Sequence, residues 1–120
     1  MTDFLLIFEG GDKTWMETAT PEDMQAVMQQ WNDWFKQLES TGNLRNPGAA
    51  LGNDGAVLSK NGTGIVTDTT MSEVKELVGG YSVIAAESLE EATELAKGSP
   101  FLAGADGGRV HVRPILEMEG

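Results

Sequence analysis

Between Thr20 and Thr41 the apolar residues Met24, Val27, Met28, Trp31, Trp34, Phe35 and Leu38 recur at steps of three and four, the period that stacks side chains on one face of an α-helix. A helix with so broad an apolar stripe needs another layer to lie against, so the rest of the chain has to supply one. The ends agree with the period. Thr20 is placed to cap the N-terminus, Pro21 takes the first helical position, and Glu22 and Asp23 suit the positive end of the dipole, while Gly42 can adopt the left-handed conformation that ends a helix. Met and Trp at this spacing read as helix core rather than as a cofactor groove, each contributing about 1.5–3 kcal/mol on full burial. Trp31→Ala is expected to cost about 3–5 kcal/mol if Trp31 is buried.

The facing layer reads as a sheet. Residues 3–9 form a first strand with Phe4, Leu6 and Phe8 on one face and Leu5 and Ile7 on the other, so both of its faces need cover. Arg45 to Gly55, rich in Asn, Gly and Pro, reads as a loop. Ala56 to Lys60 and Thr63 to Asp68 form a hairpin through Asn61-Gly62, whose tolerance of positive φ fits a type I′ turn. That turn is also a better reading of Asn61-Gly62-Thr63 than a glycosylation acceptor. Thr70 to Val78, with a Thr70–Glu73 capping signature, reads as one or two helical turns. Gly79-Gly80 then breaks the chain before a strand from Tyr81 to Ala86. Ser88 and Glu91 form a capping box for a second helix whose stripe is Leu89, Ala92, Leu95 and Ala96, ended by Gly98 and Pro100. Arg109 to Leu116 makes the last strand, and Pro114 requires an edge or a strand end.

Strand, helix, hairpin, strand, helix, strand is the order of an α+β, ferredoxin-like antiparallel sheet with one added strand and two helices on one face. At 120 residues, 1–120 is expected to be a single domain. The helices leave the other sheet face open. Because the first strand is apolar on both sides, that face is expected to be buried against a second copy, giving a homodimer.

Composition removes several function classes. Nineteen acidic against eight basic residues give a formal charge of −11, which repels a phosphate backbone, so nucleic acid is not an expected partner. The chain has no cysteine and one histidine, which excludes disulfide and thiolate chemistry and the usual zinc ligand sets; no metal or cofactor is expected. Phe4 to Phe8 is too short to span a membrane and lacks the flanks of a secretory signal, so a cytoplasmic location is expected.

The ordered segments Phe4-Leu5-Leu6-Ile7-Phe8, residues 20–31, Ile65 to Asp68, Glu73 to Tyr81, Glu87 to Ala92 and Val110 to Pro114 resemble the YCII-related family, and within it the DGPF subfamily. The resemblance covers nearly the whole chain. It implies a dimeric α+β barrel with a site in a cleft near the sheet face shared by two subunits. Most members of that family have no assigned activity. Some look like small lyases or isomerases acting on ring-derived acids through an Asp and a His, and others accompany transcription regulators. The sequence departs from the family where Asp-Gly-Pro-Phe is replaced by Asp68-Thr69-Thr70-Met71. An early His is also absent. Only Asp68 therefore carries over from the pair.

Two features stand out as chemistry. Asp68 ends a strand beside a turn, where a carboxylate serves as a general base if burial raises its pKa, or caps backbone N–H groups as an Asx-turn. On the last strand, alternation puts Arg109, His111 and Arg113 on one face and Val110 and Val112 on the other. In so acidic a chain this is a concentrated positive stripe. It suits a small anionic ligand held by Arg109 and Arg113, with His111 as proton carrier and Tyr81 lining the same cleft. The competing reading makes the arginines partners in cross-strand or intersubunit ion pairs, His111 a solvated strand residue and Tyr81 a packing residue. Neither a P-loop nor a dinucleotide fingerprint is present, and no serine sits in a nucleophile-elbow context. Two functions remain: a small lyase or isomerase acting on an acidic substrate at the dimer interface, or a non-catalytic dimeric ligand-binding or regulatory module.

Overall fold

The computed structural model describes residues 1–11, 15–52, 54–69, 78–104 and 107–117. It contains strand β1 (Thr2–Glu9), a one-turn helix α1 (Trp15–Thr18), helix α2 (Pro21–Ser40), strands β2 (Leu44–Ala50), β3 (Val57–Asn61), β4 (Gly64–Asp68) and β5 (Val78–Ala86), helix α3 (Leu89–Lys97), a 3₁₀ turn (Pro100–Ala103) and strand β6 (Arg109–Pro114). Four strands form one antiparallel sheet in the order β2-β5-β1-β6. This is the ferredoxin-like order, with the most apolar strand, β1, inside and Pro114 at the end of an edge strand, where its missing N–H costs nothing.

The long helix forms as its sequence requires. Thr20 Oγ1 accepts from the Asp23 N–H and Asp23 Oδ2 accepts from the Thr20 N–H, both at 3.1 Å, and Gly42 takes φ 75° beyond the last turn. Trp34 and Leu38 are buried against Phe4, Leu6 and Phe8 of β1, Ile84 and Ala86 of β5, and Ala92 and Ala96 of α3. The stripe is not core along its whole length, however. Met28 is 63 % exposed and Met24 and Val27 are only partly buried, because the first turns of α2 make no part of the buried cluster over the sheet. Leu89 on α3 is exposed for the same reason of position, at the start of its helix.

Four local expectations need correction. Leu44–Ala50 is a strand, not a loop. Its Asn46-Pro47-Gly48 centre disguises it: Asn46 Oδ1 accepts from the Gly48 N–H at 2.8 Å, and the register shifts on both sides of Asn46, a bulge that an edge strand tolerates. The Val57–Asp68 hairpin does not join the main sheet as an added strand; it forms a two-stranded sheet of its own with every residue exposed. Asn61 pairs with Gly64, so the turn residues are Gly62 and Thr63, and only Gly62 has positive φ, the pattern of type II′ rather than type I′. Gly79 and Gly80 lie inside β5, pairing with β1 and β2, rather than breaking the chain before it. Of the helical turns expected over Thr70 to Val78, residues 70–77 lie outside the described residues, and Val78 is the first residue of β5 rather than helical.

The second helix is capped by half a box. Ser88 Oγ accepts from the Glu91 N–H at 3.1 Å, but the Glu91 carboxylate takes a bond from Asn43 Nδ2 at 3.2 Å. Asn43 is buried, and its Nδ2 also donates to the Ala85 carbonyl at 2.7 Å while its backbone N–H reaches the Leu38 carbonyl at 2.8 Å. Asn43 thus ties the end of β5 to the start of α3 through its side chain and joins the end of α2 through its backbone.

Candidate functional site

Strand alternation divides the sheet into two chemically different faces. On the helix side β6 presents Val110 and Val112, partly buried against the core. On the open side, Leu5 lies between Val83 and Arg113, and Ile7 between Tyr81 and His111. Leu5, Ile7 and Val83 are partly buried rather than fully open, as expected where long polar side chains on flanking strands lie over apolar neighbours. Arg45 pairs with Asp3 at 2.9 Å. With Arg109 and Arg113 this puts all three arginines of the chain on the open side.

The stripe on β6 is already answered in part by the chain itself. Glu9, at the end of β1 and opposite Arg109, places Oε1 2.6 Å from Arg109 Nη2 and 2.7 Å from His111 Nε2. Its side chain is 11 % exposed, against 55 % for Arg109 and 46 % for His111. The hydrogen bond from His111 is the main cause holding the Glu9 carboxyl below its ordinary value; the charges of His111 and Arg109 add to it and partial burial opposes it. Arg109 is therefore an ion-pair partner, and His111 is tethered by one ring nitrogen rather than freely solvated. Among the described residues no carboxylate pairs with Arg113. Tyr81 sits on the open side of β5, 36 % exposed, two strands from His111.

Asp68 stands apart from this group. It is the last residue of β4, opposite Val57, exposed, on the hairpin that shares no ladder with the main sheet. Glu9 was not singled out by sequence reasoning, although alternation from Leu5 and Ile7 puts it on the same face as the arginines and could have found it. A second concavity was also missed. On the helix side, where β2 and β5 meet α2, a cleft of about 300 Å³ is walled by Phe8, Trp31, Phe35 and Phe101. Its signals were the glycines of Gly79-Gly80 and Pro47-Gly48, read as breaks. Among the described residues no group of three or more His, Asp or Glu is placed to hold a metal ion, and no helix is long and apolar enough to cross a membrane.

A ferredoxin-like α+β domain with helices over one sheet face and arginines on the open one is the class that this arrangement defines. Residues 9–119 match the YCII-related domain, and the chain belongs to that family. The match runs from Glu9 through the whole of β6, so it takes in both ends of the charged cluster. No curated protein matches the chain.

Proposed function

We propose that the chain is a cytoplasmic, homodimeric ligand-binding module of the YCII-related family, in its DGPF-like branch, that holds a small carboxylic acid between two open sheet faces through Arg113. The observation that carries this reading is the contrast among the three arginines: Arg45 is held by Asp3 and Arg109 by Glu9, while Arg113 faces Leu5 with no carboxylate among the described residues. Closing the face against a second copy, as a dimeric α+β barrel does, buries Arg113, and a buried unpaired charge is costly. A carboxylate ligand removes that cost and matches the guanidinium fork. Sedimentation and a thermal-shift screen of small carboxylic acids, on the wild type and Arg113→Ala, test it. A bound acid stabilises by about 2.7 kcal/mol at a hundredfold excess over its dissociation constant. A strict monomer at micromolar concentration, or shifts that survive Arg113→Ala unchanged, refutes the reading.

A second reading, a lyase or isomerase acting on an acidic substrate, is favoured by one observation, the 2.7 Å contact between Glu9 and His111. A carboxylate that fixes one imidazole nitrogen leaves the other to carry a proton. Asp68 joins this chemistry only where the hairpin of one copy reaches the open face of the other. Turnover of an acid substrate that is lost in His111→Gln or Asp68→Asn with the fold intact decides for the enzyme. Acid binding without turnover decides for the module.

A further inference from the structure

The cleft on the helix side of the sheet carries an inference of its own, independent of the Arg113 face. Trp31 and Phe35 are one helical turn apart on α2, and both are only partly buried although they pack on the core. Both line the cleft. The rings hold one another at fixed angles: Phe8 and Trp31 meet edge to face at 5.2 Å and 82°, Phe8 and Phe101 lie at 5.4 Å and 45°, and Trp31 and Phe35 at 5.8 Å and 41°. Such walls lose little freedom when a ring docks against them.

The floor is built from residues without bulk. Ala49 and Ala50 of β2 pair with Tyr81 and Gly80 of β5, with Gly48 and Gly79 beside them, so little side-chain bulk rises between the rings from this stretch of the two strands. The close approach of the two strands enforces part of this: a Cβ on Gly80 would lie 2.9 Å from the Ala49 carbonyl oxygen. The polar groups nearby are already satisfied, with the Leu51 N–H donating to the Gly79 carbonyl at 2.9 Å and Ser82 Oγ to the Pro47 carbonyl at 2.8 Å. Among the described residues no charged side chain lines the cleft. An acid entering it would lose its hydration and gain no cation from the described residues, whereas an apolar ring gains contact on several sides. The volume sets the size, since a closed apolar cavity of about 150 Å³ takes up benzene and this cleft is near 300 Å³.

We propose that the cleft between α2 and the β2–β5 edge is a binding site for a neutral, planar molecule of one or two aromatic rings. It lies across the sheet from Arg113, which is not among the residues lining it. Isothermal titration of the full chain with indole and 2-naphthol, and with benzoate and cyclohexanol as charged and non-planar counterparts, tests it. The expected result is binding of indole and 2-naphthol with dissociation constants below about 1 mM, with cyclohexanol, and benzoate measured on the Arg113→Ala chain to silence the acid site, at least about tenfold weaker. Ala50→Phe, which puts a ring into the cleft from an exposed edge position, should weaken indole by at least about tenfold, while Met28→Ala, outside the cleft, and Arg113→Ala leave it unchanged. Where circular dichroism shows that Ala50→Phe does not fold, Phe35→Leu takes its place with the same expected loss. Failure of indole and 2-naphthol to bind, equal binding of benzoate to the Arg113→Ala chain, or an affinity for indole that the cleft variant leaves intact overturns the proposal.

Discussion

Trp31 and Trp34 offer an internal comparison, because they are the same residue type one turn apart on one helix with rings 5.7 Å from each other. Trp34 is 6 % exposed and enclosed by the core cluster, whereas Trp31 is partly buried and borders the open cleft. A buried aromatic side chain removes about 150–250 Å² from water. At about 25 cal/mol per Å², a Trp34 that is nearly fully covered represents about 4–5 kcal/mol, and its removal also leaves an enclosed void. For Trp31 the covered area is smaller, about 100–150 Å², worth about 2.5–4 kcal/mol. Its removal enlarges a cleft that is already open, so little cavity cost is added. Trp31→Ala is thus expected near the bottom of the range that full burial would imply, about 3 kcal/mol, and Trp34→Ala about 1–2 kcal/mol above it. Urea denaturation followed by far-UV circular dichroism measures both, with unchanged denaturant slopes showing that the comparison is sound. A Trp31→Ala loss equal to or larger than that of Trp34→Ala would mean that the ring is enclosed and the cleft closed. A loss under about 1 kcal/mol would remove Trp31 from the hydrophobic layer altogether.

Three further outcomes follow from particular contacts. Asn43→Ala should cost about 2–3 kcal/mol in the same denaturation experiment, since it strands the buried Ala85 carbonyl and frees the Glu91 carboxylate; a loss under about 0.5 kcal/mol would show that the three elements are held without it. Because the Glu9 carboxyl is held below its ordinary value in the fold, its contribution is complete above the unfolded carboxylate pKa and fades as pH falls through the folded value. Glu9→Gln should therefore be less stable than wild type near neutrality and converge with it in acid, and parallel stability curves across that range would disconnect Glu9 from His111 and Arg109. Gly42 and Gly48 share φ 75°, but an added Cβ meets nothing at Gly42 and lands on the Tyr81 carbonyl oxygen at Gly48; Gly42→Ala should cost about 1 kcal/mol and Gly48→Ala about 2 kcal/mol or more, with equal losses arguing against the tight β2–β5 approach.

What could be read in the chain before its structure follows a physical divide. Thr20, Pro21, the Trp31–Leu38 period and Gly42 are local signals that act within one helical turn, and α2 appears where they put it. The alternation of β6 is equally local, and Val110 and Val112 do face the core. β2 failed because Asn46, Pro47 and Gly48 are turn residues by local chemistry, and the strand exists through its ladder to β5, about thirty-five residues away in the Ser82–Pro47 bond. Glu91 was misassigned for a similar reason: its local partner Ser88 competes with Asn43, 48 residues away. The charged cluster is the extreme case, with Glu9 and His111 separated by 102 positions. No window along the sequence holds both.

The same long-range register explains how one layer of peptide keeps two chemistries apart. Phe8 and Glu9 are neighbours in β1, yet Phe8 walls the aromatic cleft and Glu9 anchors the cationic cluster, and the register with β5 shifts between them. A slip of one residue in a strand exchanges its faces, which here would carry Arg113 toward the core and Val112 to the open side. Like β6, the edge strand β2 has a ladder on one side alone among the described residues, so slippage is weakly opposed in it. There the bulge at Asn46, the Ser82 bond to Pro47 and the contact that only glycine allows at position 48 fix the pairing. The residues that made β2 look like a loop are therefore the ones that hold the floor of the cleft, and with it the separation of the two faces.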